Sequence, residues 1–456
     1  MAKAHEMNLT KGPLLKQIFL YALPLMGTNL LQYLFSLVDI AVLAHYVGDD
    51  AVAAVGATTS LVHLLINLFI GISVGTNVIL ARYVGAKNEE GARKTVGTSV
   101  FVGLLCGAGL LFVGFFGART FLTWMDCDPE VIGMATKYLQ IYFLGMPIMM
   151  LYNFSSAIMR AVGDTFRPFL FLTLGGVANV GLNILFVAGF HQDVAGVAIA
   201  TVASQGIAAV LSMFCLFKEK GYGKFSFRYF KIYQEELAKI FKIGIPAGLQ
   251  ATMFSLANIF LQKAVNSFGK TVMAANTVSV QVDSVIFQIT AAIGHTTAAF
   301  VSQNYGARNV ERIKKSVFYS CVVAFSICAL IGVFVIVFRF PLFGLLTDDP
   351  VVMHYAEQKL VMTAAFQCFY GMLDVLANAV RSLGRSTLAM FVNLFGICIF
   401  RLVWLSTAFR YFGTFYSLCW AYPISFVLTF AIFLVLYFPT YQRAKEKLSV
   451  REEEAV

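Results

Sequence analysis

Charge is scarce in this sequence. Asp, Glu, Lys and Arg make up 13% of its 456 residues and 59% are hydrophobic, where an ordinary soluble domain is about 25% charged. With a mean hydropathy of +0.76, a soluble globule is excluded and a polytopic membrane protein is left. A cysteine pattern is also missing. Of the eight Cys, Cys106, Cys215, Cys321, Cys328, Cys368, Cys398 and Cys419 lie in apolar runs and only Cys127 falls in a loop. No CxxC or Cys/His spacing occurs, so neither a disulfide framework nor a zinc site is indicated. The N-terminus has no basic tip, short apolar core and small-residue cleavage site, so the first helix is expected to stay in the mature chain. Gly269-Lys-Thr271 resembles the end of a phosphate-binding loop, but Ala264 stands where that motif needs Gly, which excludes an ATP-driven pump within this chain. No catalytic dyad is present, and the chain is read as a non-enzyme.

What is present is apolar length. Runs near 15–44, 51–81, 95–117, 132–158, 168–190, 194–217, 239–264, 272–303, 316–338, 352–380, 387–409 and 414–438 each meet or exceed the roughly 20 residues a spanning helix needs. The fold class is therefore all-α and polytopic, with twelve transmembrane helices. The net charge of +10 could suggest nucleic acid, but its placement argues for topology instead. With the N-terminus inside, 26 of the 34 Lys and Arg, from Lys3 to Arg451, fall on the cytoplasmic side. Both termini are expected there, in the cytoplasmic membrane of a prokaryote, with a lipid bilayer and no nucleic acid as partner.

The chain repeats itself. Pro24 matches Pro246, Gly48 matches Gly269, Gly85-Ala86 matches Gly306-Ala307, Arg160 matches Arg381 and Gly163 matches Gly384, at an offset of 221 to 222. This tandem duplication predicts a six-helix bundle over 1–220, a basic cytoplasmic linker over 221–237 and a second bundle over 238–456, related by an axis along the membrane normal. Gly85 and Gly306 are expected to supply left-handed residues at helix C-termini.

Few polar residues interrupt the apolar runs, and each is costly: a mid-helix Asp costs about 2.5 to 3.5 kcal/mol on insertion scales. Asp39, Asp283 and Asp374 are the acids well inside spans. Gln32, Ser36 and Asp39 share one face of the first helix at i, i+4 and i+7. Asn179 and Asn183 stack at i, i+4 in the fifth, with Asn153 and Thr201 in the helices on either side. In the seventh, Ser255, Asn258 and Gln262 line one face, with Gln250 just after Pro246. Gln281, Ser284 and Gln288 share a face that Asp283 itself misses, which reads as a structural carboxylate. Gln367, Asp374, Asn378 and Arg381 align in the tenth, where Asp374 reads either as a cation or proton site or as an internal ion pair with Arg401 of the next helix. His63 and His295 read as buried, satisfied histidines. Amides in these positions can tie helices together or ligate a cation, and both readings stay open at this point.

Gln32-Tyr-Leu-Phe-Ser-Leu-Val-Asp39 followed by Val47-Gly-Asp-Asp-Ala-Val-Ala-Ala-Val-Gly56 resembles the multidrug and toxic compound extrusion (MATE) family. So do Gly71-Ile-Ser-Val-Gly75 with Gly85-Ala86, Arg160-Ala-Val-Gly-Asp164 with Pro168, and Gly196-Val-Ala-Ile-Ala-Thr201. The resemblance runs over nearly the whole chain and implies two pseudo-symmetric six-helix bundles in a V. It further implies an antiporter that exports small organic cations or drugs against Na+ or H+; apart from that ion no cofactor is expected, and the chain is expected to be a monomer. Asp39 matches the family's first-helix carboxylate, a candidate Na+ ligand, and Asn153, Asn179 and Thr201 match its cavity lining. Asn183 stands where many members carry an acid, so one carboxylate is missing from this site; Asp374 resembles the family's tenth-helix acid. The residues thus nominated for ion coupling are Asp39, Asn179, Asn183 and Asp374. Those nominated for a substrate cavity are Gln32, Ser36, Asn153, Thr201, Gln250, Asn258, Gln262, Gln281 and Asn378. The alternative readings are a flippase or exporter of lipid-linked or amphipathic metabolites and, in another class, a membrane enzyme or receptor.

Overall fold

A bilayer offers no partner to a bare N–H or C=O, so apolar runs of this length must satisfy their backbone internally as helix. The computed structural model describes residues 6–125 and 127–453; Lys3 of the basic set lies outside them. In chain order the helices are α1 (Leu14–Tyr46), α2 (Asp49–Gly85), α3 (Glu89–Trp124), α4 (Ile132–Leu144), α5 (Met146–Ala161), α6 (Phe166–Asn183), α7 (Val194–Lys218) and α8 (Gln234–Asn266). They continue as α9 (Lys270–Gly306), α10 (Val310–Val337), α11 (Arg339–Gly344), α12 (Pro350–Ser382), α13 (Ser386–Asn393), α14 (Phe400–Ser406), α15 (Ala408–Phe412) and α16 (Phe415–Glu453). Among the described residues, 11 helical segments can cross a membrane, and α4 with α5, bent by 49° at their break, make up to 12.

Two irregularities were not visible as run lengths. The bend between α4 and α5 falls at Gly145, with Pro147 in the first turn of α5, where a residue without an N–H is tolerated. Both α6 and α13 end at an asparagine and pass directly into a π-helical turn, Ile184–Gly189 and Leu394–Ile399. Each π turn widens the helix and re-aims the side chains at its edge, a feature frequent at functional sites.

The duplication is repeated at the level of caps. After α2 the Asn88 N–H bonds to Tyr83 O at 3.0 Å and the Lys87 N–H to Val84 O at 3.1 Å. After α9 the Asn309 N–H bonds to Asn304 O at 2.9 Å and the Arg308 N–H to Tyr305 O at 3.2 Å. These are Schellman closures, and each asparagine then caps the next helix, Asn88 from the Gly91 N–H at 2.8 Å and Asn309 from the Arg312 N–H at 3.0 Å. The left-handed residues are Lys87 (φ 54°) and Arg308 (φ 57°), not Gly85 and Gly306, which are the last helical residues. The expectation is corrected by two positions, because the closure uses the second residue past the glycine. Gly163 (φ 102°) and Gly384 (φ 94°) do take the left-handed conformation.

The chain forms two compact units: Met1–Asn8 with Gly27–Thr252, and Leu9–Met26 with Met253–Val456. Helix α1 therefore changes unit shortly after Pro24 and α8 shortly after Pro246. In the first unit, residues 234–252 of α8 lie against α2 through Gly71 and Gly75 on one side and Gly244 and Gly248 on the other. A methyl group on Gly71 would strike the Gly248 backbone, and one on Gly75 the Ile240 carbonyl. This is paired small-xxx-small packing, which lets two backbones approach where lipid supplies no hydrophobic drive. In the second unit, the chain ahead of α1 is held by Arg312, which donates to Leu9 O at 3.1 Å, Lys11 O at 2.9 Å, Gly12 O at 2.9 Å and Gln17 Oε1 at 2.9 Å. Tyr21 then meets Phe300 edge to face at 5.7 Å.

Candidate functional site

The first unit encloses a cavity of about 270 Å³ lined by α1, α2, α4, α5, α6 and α7. Gln32, Ser36 and Asp39 of α1 all face it, as their shared helical face requires. The Ser36 hydroxyl turns back to the Gln32 carbonyl at 3.1 Å, so Asp39 is served from other helices. Asn183 Nδ2 donates to Asp39 Oδ1 at 2.6 Å and Thr201 Oγ1 donates to Asp39 Oδ2 at 3.2 Å. Asn183 Nδ2 is shared with Asn179 Oδ1 at 3.2 Å, an i, i+4 pair across the last α-helical turn before the π segment. One helix of this unit thus supplies the carboxylate and two others supply its donors.

The supply of oxygen at this point suits a hard cation. Asp39 brings two carboxylate oxygens, Asn179 and Thr201 bring neutral ones, and Asn183 Oδ1 is buried with no hydrogen-bond partner among the described residues. Carboxylate, carbonyl and hydroxyl oxygens are the ligands that such ions take. Among the described residues that line the cavity, Asp39 is the one carboxylate, so no second acid contributes from its wall.

Around this polar corner the wall is mixed. Asn153, a sequence-nominated residue, lines the cavity and donates to its own helix at Met149 O, 2.9 Å away. Phe35, Tyr142, Met149, Met150, Val62 and Leu172 give apolar and aromatic surface. His63, read as a buried structural residue, lines the cavity, as do Asn67 and Gln205, which sequence reasoning missed. Both carried a signal: Asn67 stands four residues after His63, and Gln205 four after Thr201.

The second-half nominations separate into three places. Asn258 and Gln262 line a cavity of about 330 Å³ in the second unit, with Asp283 on its wall. Asp283 accepts Thr363 Oγ1 on both oxygens at 3.0 Å. Asp374 and Asn378 pack against Gly294, outside that lining; Asn378 Nδ2 donates to Asp374 O at 2.9 Å and Asn378 Oδ1 accepts Arg381 Nη1 at 2.8 Å. Gln250 and Gln281 belong to the lining of neither cavity.

The family model MatE matches residues 24–185 and again 246–405, one match in each copy of the repeat. The chain is 31% identical over 396 residues to "Probable multidrug resistance protein YpnP" of Bacillus subtilis (strain 168), covering 86% of this chain and 88% of that protein. It is 24% identical over 382 residues to "Multidrug export protein MepA" of Staphylococcus aureus (strain N315), covering 82% and 83%. Its fold is similar to a solved multidrug resistance MATE family transporter of the MOP superfamily, with a TM-score of 0.90 at 22% identity over 96% of this chain and 98% of that one. The chain belongs to the MatE family of multidrug and toxic compound extrusion transporters.

Proposed function

We propose that this protein is a secondary antiporter that exports amphipathic organic cations or drugs in exchange for Na+ or H+, with Asp39 as the coupling carboxylate. The observation that carries the reading is the Asp39 carboxylate on a cavity wall, held by Asn183 at 2.6 Å and Thr201 at 3.2 Å. A single carboxylate cannot neutralise the coupling ion and a cationic cargo at once, so the two compete for it and each expels the other. The aromatic and methionine surface beside it suits the body of a flat, apolar cation.

The division of labour follows from contacts. Asn183 and Thr201 hold the carboxylate in position, and Asn179 orients Asn183. The cavity face of Gln32, Ser36, Asn153, Asn67 and Gln205 gives a cargo polar contacts that do not depend on the charge. Asp374 and Asn378, in a separate place, form a second candidate coupling site. Multidrug names among the relatives support the cargo class. The test is uptake of cationic dyes by inside-out vesicles carrying the protein, under separately imposed Na+ and H+ gradients. Dye accumulation driven by one of these gradients is the expected result; accumulation indifferent to both would overturn the reading.

A further inference from the structure

The cavity of the second unit has the opposite charge character. Its wall carries Lys359 and Arg401 but a single carboxylate, Asp283. Lys359 is 2% exposed and Arg401 1%, and both lie within candidate membrane spans, where cations are costly and mark functional places more often than not. No carboxylate among the described residues lies within 4 Å of either cation. Asp283 accepts the single Thr363 hydroxyl proton shared across its two oxygens and lies in the field of Lys359, whose Nζ donates to Asn276 Oδ1 at 2.7 Å, so Arg401 is the cation left without a carboxylate. Asn276 is in turn fixed by its Nδ2 donating to Gln262 Oε1 at 3.0 Å.

Arg401 is held by its faces rather than by an acid. Its guanidinium carbon lies 4.4 Å from the Tyr422 ring centroid, 5.4 Å from that of Phe426 and 5.7 Å from that of Phe254. Nε donates to Ser425 Oγ at 3.2 Å. Nη2 is buried with no acceptor among the described residues. A guanidinium stays charged at any working pH and presents five N–H donors in a fork that matches a carboxylate. Stacked rings fix that fork in place, so its donors are pre-oriented and one edge is unanswered.

From this arrangement we infer a second ligand site in the second unit: a pocket for the carboxylate of an organic anion, with Arg401 and Lys359 as its charge partners. Phe254, Phe287 and Tyr422 give the apolar body of such a ligand a surface. One added negative charge balances the two cations and the one acid on the wall. Gln262 and Asn258, nominated from the sequence as cavity residues, take their place here as polar lining of an anion pocket. The inference does not rest on the role proposed for Asp39, whose cavity lies in the other unit.

The test uses the full chain in phosphatidylcholine nanodiscs and isothermal titration with two probes of one shape, 2-naphthoate and 2-naphthylmethylammonium. The expected result is that naphthoate binds, that Arg401→Gln weakens it at least tenfold, and that Arg401→Lys, which keeps charge without the fork, falls between. Ser284→Phe, which fills the cavity from its wall without removing a charge, is expected to weaken naphthoate as well and stands in if Arg401→Gln does not fold. Asp39→Asn is expected to leave naphthoate affinity within twofold, which separates this site from the first cavity. Absence of naphthoate binding, or equal affinity in parent, Arg401→Gln and Ser284→Phe, would overturn the proposal. Loss of naphthoate binding when phosphatidylglycerol replaces phosphatidylcholine would also overturn it, by assigning the pocket to a lipid headgroup.

Discussion

Asn183 Nδ2 donates to Asp39 Oδ1 at 2.6 Å while the other atom of the same amide, Oδ1, is buried without a partner among the described residues. One side chain therefore both holds the carboxylate and keeps an oxygen in reserve beside it. A hydrogen bond to a charged group is worth about 1.5 to 3 kcal/mol, and the shorter contact, from an amide with one hydrogen for Asp39 and another for Asn179, makes Asn183 the stronger of the two positioning contacts. Thr201 is weaker, since its hydroxyl also serves Val197 O at 2.9 Å. Asn183→Leu should lower gradient-driven dye efflux at least tenfold, and Thr201→Val by less. Efflux rates in vesicles at matched protein levels check this order, and a greater loss in Thr201→Val would contradict it.

The glycine contact between α2 and α8 sets a second expectation. Gly75 faces the Ile240 carbonyl and Gly248 faces the Leu68 backbone, whereas Gly56 on the same α2 has nothing within 4 Å of where a Cβ would stand. Overpacking a close contact typically costs about 1 to 3 kcal/mol, while Gly→Ala at an open helical position gains up to about 1 kcal/mol. Gly75→Val and Gly248→Val should therefore lower the detergent melting temperature, and Gly56→Ala should leave it equal or higher. Equal melting of all four proteins would mean that the two helices do not need the glycines.

The segment ahead of α1 carries a pH dependence. Burial, and next the neighbouring Glu219 carboxylate, push Glu6 from 4.5 up to about 7 against the pull of Arg167. Arg167 also pairs with Glu219 at 2.9 Å and with Asp164, so it is shared among three acids. Between pH 4.5 and 7 the folded chain holds a proton on Glu6 that the unfolded chain releases, so this group's contribution to stability falls as pH rises through that window. Glu6→Gln should flatten that part of the profile and melt relatively higher than parent at pH 8 than at pH 5. Parallel melting curves of parent and variant across the range would contradict it.

The basic residues predict a membrane orientation that is open to a chemical check. Cys127 is a free, partly exposed thiol in the loop between α3 and α4, and the positive-inside count predicts that loop outside. An impermeant maleimide added to intact cells should label Cys127 in a variant whose other cysteines are replaced by Ser or Ala. Labelling only after lysis would invert the topology.

The helices were legible in the sequence because each is a long apolar run, and bilayer thickness leaves few ways to fold one. The first site was legible for a related reason: an Asp, two stacked Asn and a Thr stand out against so little polarity, and helical periodicity alone puts Gln32, Ser36 and Asp39 on one face. The π turns after Asn183 and Asn393 were not, since they leave the composition of a helix unchanged. Nor was the change of unit within α1 and α8; Pro24 and Pro246 mark a weak point in each helix but not which unit its ends join. Asn67 and Gln205 were passed over because single amides are common glue between helices, although each sits four residues from a nominated or titratable neighbour. From the sequence, Arg401 reads as a possible ion-pair partner of Asp374 and Lys359 only as a charge; no such pair forms among the described residues, and the fold instead brings Lys359 of α12 and Arg401 of α14 to one cavity.

The central claim is that Asp39 couples ion to cargo, and one substitution isolates it. Asp39→Asn keeps the shape of the side chain and removes its charge, leaving Asn153, Asn67 and the aromatic wall of the cavity in place. In inside-out vesicles, the parent protein should accumulate a cationic dye under whichever of the Na+ and H+ gradients drives it. The Asp39→Asn protein, at equal abundance, should show no gradient-driven accumulation while still binding the dye at equilibrium. Undiminished, gradient-dependent accumulation by a well-folded Asp39→Asn protein would contradict the account.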